Sequence, residues 1–304
     1  MWTPDWVLSD GEIIRHADAK IHPLSLAVTY ATTVFEGLRA YRRPEDGSYS
    51  FFRLREHIER LQVGMKVMRF DRRIEVDEMQ EALSRLVRAN SPDTDVYIRL
   101  LVFISGTGLM ATKGPVSYFA VAQPRDKPKF AETGMQLGVS SWSRLSDNAS
   151  PPRIKATANY HNARLTQLQA QADGYDGALM LTPQGKVSEA PIACFFMVRD
   201  GELITPGLGS NILESVTRDS IIRLYERRFG RPVIQRDVDR SELYFAQEAF
   251  LCGTGQEIIP VVGIDRLPVG DGKPGEITRQ VQAMYFDCVR RMVPDEWGWH
   301  TPLT

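Results

Sequence analysis

The sequence predicts a protein of two α/β domains, and three observations predict it. The chain has 304 residues, enough for two cores. β-Branched and apolar runs, such as residues 96–105 and 116–121, accompany stretches of helical periodicity, such as residues 55–70. Between the halves lies Pro124-Arg125-Asp126-Lys127-Pro128-Lys129, a polar segment with two prolines that reads as a linker. A small N-terminal α/β domain is expected over residues 1–122, an interdomain loop over 123–133 and a large C-terminal α/β domain over 134–304.

The elements follow in order. Asp10-Gly11 between short apolar runs predicts a β-hairpin. Residues 27–31 lead into 33–41, and the whole reads as a segment starting as helix and ending as strand, with Gly37 permitting a break or a close approach. Ile58, Leu61, Met65 and Met68 make residues 55–70 an amphipathic helix, against the propensity of Gly64. A second helix is expected over 76–89, before the two strands already named. Beyond the linker come a strand at 135–142, a loop at 146–152 and a helix at 159–172. Strands at 177–181, 193–198 and 203–205, the second entered through 187–189, suggest an antiparallel meander rather than repeated βαβ units. A helix from Ser215 or Thr217, a strand at 233–235, a short helix at 240–244, a strand at 249–252 and a last helix at 275–290 complete the chain.

Composition narrows the function. A net charge of −1 and the lack of a basic stripe argue against a nucleic acid partner. His16, His22, His57, His161 and His300 have no metal-ligand spacing, so no metal is expected. Cys194, Cys252 and Cys288 are odd in number and widely spaced, as small core residues in a reducing compartment would be. Met1-Trp2-Thr3-Pro4-Asp5 carries neither a basic region nor an apolar run. No signal peptide or membrane span is expected, and the expected location is cytoplasmic.

Several residues carry possible chemistry. Lys155, before a predicted helix, becomes a nucleophilic amine able to form a Schiff base if partly desolvated. Glu189 stands at the entry of an apolar strand, where a carboxylate must be exposed or paired. The helix start at Val216-Thr217 and the Gly253-Thr254-Gly255 turn both offer backbone N–H groups to a phosphate, and Arg55 adds a charge. Taken singly, these read by default as a surface lysine, a strand end, a helix cap, a turn and a surface arginine.

Together they resemble a known family, the branched-chain amino acid aminotransferases, within the fold type IV pyridoxal-phosphate enzymes. The resemblance rests on seven blocks in the family's order: Tyr30-Ala31-Thr32-Thr33-Val34-Phe35-Glu36-Gly37-Leu38-Arg39, Phe52-Arg53-Leu54-Arg55-Glu56-His57, Tyr97-Ile98-Arg99, Lys155-Ala156-Thr157-Ala158-Asn159-Tyr160, Ser188-Glu189, Val216-Thr217-Arg218-Asp219 and Gly253-Thr254-Gly255-Gln256-Glu257-Ile258. It implies two α/β domains with pyridoxal 5'-phosphate at their interface. It implies that Lys155 forms the Schiff base and moves the substrate proton, and that Glu189 partners the pyridinium nitrogen. Tyr160 resembles the donor to the cofactor's phenolic oxygen. Arg55, Val216, Thr217 and Thr254 resemble the phosphate cradle. Tyr30, Phe35, Gly37, Tyr97 and Arg99 resemble the small-domain side of the substrate pocket, with Arg99 receiving the distal carboxylate of 2-oxoglutarate. Thr254 and Gly255 would offer amides to the α-carboxylate. The implied activity is transamination of leucine, isoleucine and valine with 2-oxoglutarate by a homo-oligomer, a dimer at minimum and possibly a hexamer.

The chain departs from the family pattern at Leu100, Ala190, Cys194 and Ser215, and in the loop at 124–130. These departures bear on the substrate. A D-amino acid or (R)-amine transaminase is the sibling alternative, an aminodeoxychorismate lyase a further one and a non-enzymatic scaffold the most distant.

Overall fold

The structure, a computed structural model, describes residues 3–90, 92–125 and 127–304. Its strands are β1 (Trp6–Ser9), β2 (Glu12–Arg15), β3 (Thr33–Arg42), β4 (Tyr49–Phe52), β5 (Val96–Ile104), β6 (Val116–Pro124), β7 (Met135–Val139), β8 (Gly177–Leu179), β9 (Cys194–Arg199), β10 (Glu202–Pro206), β11 (Ile234–Arg236), β12 (Glu248–Gly253), β13 (Glu257–Ile264), β14 (Leu267–Pro268) and β15 (His300–Pro302). Its α-helices are α1 (Leu26–Thr29), α2 (Leu54–Val67), α3 (Val76–Asn90), α4 (Asn159–Ala172), α5 (Val216–Phe229) and α6 (Glu276–Val289). The described residues divide into two compact units. Unit 1 takes those of Met1–Asp126 together with Ile154–Ala158 and Cys288–Thr304; unit 2 takes Lys127–Arg153 and Asn159–Asp287.

Unit 1 is built on an antiparallel sheet in the order β15-β4-β3-β5-β6-β1-β2. The Asp10-Gly11 hairpin forms as read, with both residues at positive φ (45° and 93°), as a type I′ turn requires. The register between β3 and β5 pairs Phe35 with Leu101, Gly37 with Arg99 and Arg39 with Tyr97. Side chains alternate along a strand, so Phe35, Gly37, Tyr97 and Arg99 share one face. Val34, Leu38, Ile98, Leu100 and Val102 fill the opposite face, in one core with Ile58, Leu61 and Met65 of α2 and Met79, Leu83 and Leu86 of α3. Each such buried side chain contributes roughly 1.5–3 kcal/mol over leaving it exposed. That sum outweighs the propensity cost of Gly64, about 1 kcal/mol. Gly64 also has a packing reason: a Cβ there would meet Val34 Cγ1 at 3.3 Å.

Residues 27–41 start as helix and end as strand, as read: α1 ends at Thr29 and the ten-residue β3 begins at Thr33. The helical turn is confined to α1, and Ala31, in the left-handed region at φ 53°, breaks it before β3 starts. The strand β15 has no counterpart in the sequence reading. It pairs with β4 next to Trp299, whose ring lies 4.6 Å from the buried Arg53 guanidinium and edge-on to Phe52.

Unit 2 carries a mixed sheet in the order β11-β10-β9-β12-β13-β7-β8, with β14 added to β13. Of the meander expected over 177–205, only the β9–β10 hairpin forms; β8 lies at the far edge of the sheet beside β7, and the other side of β9 pairs with β12, which pairs with β13. Two βαβ connections are also present, against expectation. β7 and β8 are parallel across α4, and β10 and β11 are parallel across α5. A parallel pair needs a crossover of about a dozen residues, which these helices supply. Residues 187–189 form no strand. Val187 makes an isolated bridge to Leu181, and Ser188 and Glu189 exchange backbone bonds with Met180. Residues 240–245 are a 3₁₀ turn closed by an Asp239/Glu242 capping box. Among the described residues, no helix is long and apolar enough to cross a membrane.

Candidate active site

The residues singled out above fall in both units. In unit 1, residues 154–157 lie along the N-terminal half of β3. Phe35 N–H donates to the Lys155 carbonyl (2.9 Å), Thr157 N–H donates to the Thr33 carbonyl (3.0 Å), and Ala156 bridges Val34. The buried neighbours Ile154 and Ala156 pin this backbone into the core. The half-buried Lys155 side chain leaves it with Nζ 4.7 Å from the Phe35 ring centroid. Gly37 is glycine because of Tyr97: a Cβ at Gly37 would lie 2.4 Å from the Tyr97 hydroxyl. Arg99 shares that face and is exposed. Arg55 is exposed in the first turn of α2, and Tyr30, 46% exposed, follows α1.

Behind this face lies a charged cluster that sequence reading missed. Glu36 is fully buried; its carboxylate takes two bonds from Arg60, each 2.7 Å, and pairs with His57 Nδ1 at 2.8 Å. Burial alone would push this carboxyl up, but Arg60 and His57 outweigh it and bring it down to about 2. The His57 ring is pushed down by burial against the pull of Glu36, with the charges of Arg60 and Lys155 adding to the fall. Glu36 stood in a recognised block, yet only the three-dimensional register shows that it points at α2.

In unit 2, Ser215 caps α5, its hydroxyl accepting from Arg218 N–H (3.2 Å). Thr217 is thereby spared the capping role. Its buried hydroxyl lies 3.3 Å from that of Thr254, in the turn after β12. Two hydroxyls beside the first N–H groups of a 14-residue helix suit a phosphate group. Val216 opens that helix, and Gly255 continues the turn. Tyr160 is the second residue of α4, half-buried; the preceding Asn159 is held by Ser150 and by the Pro151 carbonyl.

Glu189 is 5% exposed. Arg144 Nη2 stands 2.7 Å from its Oε1, Leu213 N–H donates to both oxygens (3.2 and 3.3 Å), and Cys194 Sγ lies 3.8 Å from Oε2. Arg144 gave no signal in the sequence, because an arginine in a polar loop looks like any other. Cys194 faces Cys252 across β9 and β12, and the Cys252 thiol is pushed well above its ordinary range by burial and then by its bond to Cys194. Unit 2 thus carries a held, buried carboxylate and a pair of hydroxyls at a helix start; unit 1 carries an amine on a pinned segment beside an aromatic ring.

Comparison with known proteins gives a consistent answer. The family model described as amino-transferase class IV matches residues 33–264. The branched-chain-amino-acid aminotransferase of Salmonella typhimurium is 36% identical, over 98% of this chain and 97% of that protein. The crystal structure of the branched-chain amino acid aminotransferase from Thermobaculum terrenum in its PLP form superposes with a TM-score of 0.92 at 39% identity, covering 99% of both chains. The branched-chain aminotransferase from the thermophilic archaeon Thermoproteus uzoniensis, solved with norvaline, gives 0.92 at 34% identity, covering 99% of this chain and 100% of that one.

Proposed function

We propose, from the premise that this chain belongs to the amino-transferase class IV family, that it exchanges amino groups between branched-chain L-amino acids and 2-oxoglutarate, using pyridoxal 5'-phosphate. The observation that carries the cofactor is the donor set of unit 2. A buried anionic carboxylate suits a protonated ring nitrogen, and paired hydroxyls at the start of α5 suit a phosphate ester. When bound, the cofactor supplies an electron-withdrawing ring that makes the substrate's Cα proton removable.

The chain's own residues supply the rest. Glu189 keeps the ring nitrogen protonated. Lys155 would hold the cofactor through its Nζ and, as general base, would move the proton at the substrate's Cα. Tyr160 donates to the phenolic oxygen. Arg55, Val216, Thr217 and Thr254 hold the phosphate. Phe35, Tyr30, Gly37 and Tyr97 shape the apolar side-chain pocket, Arg99 receives the distal carboxylate of 2-oxoglutarate, and the Thr254 and Gly255 amides receive the α-carboxylate. An amino donor and an oxo acceptor use the same site in turn, so the kinetics are ping-pong.

The chain acts as a homo-oligomer, at least a dimer, in the cytoplasm. Leu24, Val28, Tyr30, Leu109 and Met110 are exposed, and a bridge between Ser25 and Thr107 joins the two segments that carry them; exposed apolar residues of this kind suit a subunit contact. Sedimentation at micromolar concentration tests this; a monomer would refute it.

The function is tested by the absorbance spectrum of protein reconstituted with pyridoxal phosphate. L-Leucine and L-glutamate are each expected to bleach the visible band, and the matching 2-oxo acids to restore it. Conversion only by D-alanine or (R)-1-phenylethylamine would overturn the substrate assignment. A protein that binds no cofactor would overturn the reading entirely.

A further inference from the structure

A buried carboxylate is costly unless something compensates it, and at Glu189 an arginine stands in direct contact. The Leu213 amide is shared between the two carboxylate oxygens, and the Cys194 thiol is a weak donor at 3.8 Å. Arg144 brings a full positive charge to 2.7 Å and is itself only 7% exposed. Arg144 is tied down at both its backbone and its guanidinium. Arg144 N–H donates to the Leu181 carbonyl at 2.8 Å, and Arg144 Nε donates at 3.3 Å to the carbonyl of Asn211, a residue in the left-handed region at φ 59°. The other buried arginine of unit 2, Arg218, is spent differently: its guanidinium donates to Thr205 Oγ1, the Pro206 carbonyl and Gln235 Oε1.

We infer that Arg144 is a positioning residue for the proposed chemistry: it fixes the orientation of Glu189 and keeps that side chain an anionic acceptor, so that the cofactor's ring nitrogen retains its proton. The inference rests on the reading of Glu189 as the ring-nitrogen partner. The reasoning is electrostatic. A carboxylic acid at this depth without a cation favours its neutral form. A neutral acid would donate to the ring nitrogen instead of accepting from it, and the ring would lose its pull on electrons. Arg144 therefore acts through Glu189 and need not touch the cofactor.

A double-mutant cycle tests this with Arg144→Met, Glu189→Gln and the pair, and Arg144→Lys as the conservative variant. The first readout is the thermal midpoint of the cofactor-free protein. Arg144→Met is expected to lower it by several degrees, and by much less in the Glu189→Gln background, where no buried charge is left uncompensated. The second readout is the dissociation constant for pyridoxal phosphate, expected to rise at least tenfold in Arg144→Met, to recover in part in Arg144→Lys, and to change little when Arg144→Met is added to Glu189→Gln. Equal effects of Arg144→Met in both backgrounds would overturn the inference, as would unchanged cofactor affinity. If Arg144→Met does not fold, Arg144→Lys and the double variant carry the same comparison. Wild-type protein that binds no cofactor would instead overturn the functional reading, and the midpoints of the cofactor-free proteins separate the two failures.

Discussion

The hydroxyl oxygens of Thr217 and Thr254 stand 3.3 Å apart, one from the first turn of α5 and the other from the turn after β12. Neither closes the helix, because Ser215 caps it. Thr217→Val and Thr254→Val keep side-chain volume and remove the hydroxyl. Each is expected to weaken pyridoxal phosphate binding by about ten- to a hundredfold, the scale of a hydrogen bond to a charged group. Thr217→Ser should stay near wild type. Cofactor titration by fluorescence measures this, and an unchanged dissociation constant for both Val variants would remove the hydroxyls from the phosphate cradle.

Gly37→Ala should act through Tyr97 and not through the backbone. The added Cβ falls 2.4 Å from the Tyr97 hydroxyl and 3.0 Å from Cζ, so the ring must shift. A severalfold rise in KM for branched-chain donors is expected, with a small change in thermal midpoint. Gly37→Ala/Tyr97→Phe, which removes the nearest clashing atom, should recover part of the loss. Unchanged KM in Gly37→Ala would take Tyr97 out of the pocket wall.

Glu36 predicts an acid-dependent stability. Its folded value of about 2 lies below the ordinary 4.5, so it contributes most above about pH 4.5, and the contribution is lost as pH falls towards 2. The size is roughly 3 kcal/mol, taking each unit as about 1.4 kcal/mol. Urea unfolding of wild type and Glu36→Gln should differ by about that amount at pH 7 and by clearly less at pH 3. A pH-independent gap would show that the cluster works by packing alone.

The three thiols should be slow to react. Cys194, Cys252 and Cys288 are buried, and the Cys288 thiol is pushed up to about 12 by burial and then by Asp295. Thiolate is the reactive form. At pH 8, Ellman's reagent is expected to modify none of them rapidly in native protein and all three in guanidinium. A fast native phase of one equivalent would contradict the burial of at least one thiol.

Periodicity and turn chemistry made much of this fold legible. The Asp10-Gly11 hairpin, α2, α3 and the central strands of unit 2 could all be read from local pattern. What could not be read depended on partners distant in sequence. The strand β15 is three residues long and exists because β4 offers an edge. The parallel placement of β8 and β11 depends on how α4 and α5 return the chain. Lys155 and Glu189 were found through family blocks, because a lone lysine and a lone glutamate carry no period. Arg144 and Arg60 were missed for the same reason: each gains its meaning only from the buried carboxylate it faces.

The sheet of unit 1 takes its edge strand β15 from residues 300–302 and a further stretch, at β3, from residues 154–157. During synthesis on the ribosome, the N-terminal 126 residues therefore emerge without the pieces that finish their own sheet. Unit 2, assembled from 127–153 and 159–287, has its strands available first. Until residues 300–302 have emerged, β4 presents an uncovered backbone ladder, a template for pairing with other chains. Loss of residues 300–304 should therefore leave protein that aggregates from the unit 1 sheet while unit 2 remains protected in hydrogen exchange.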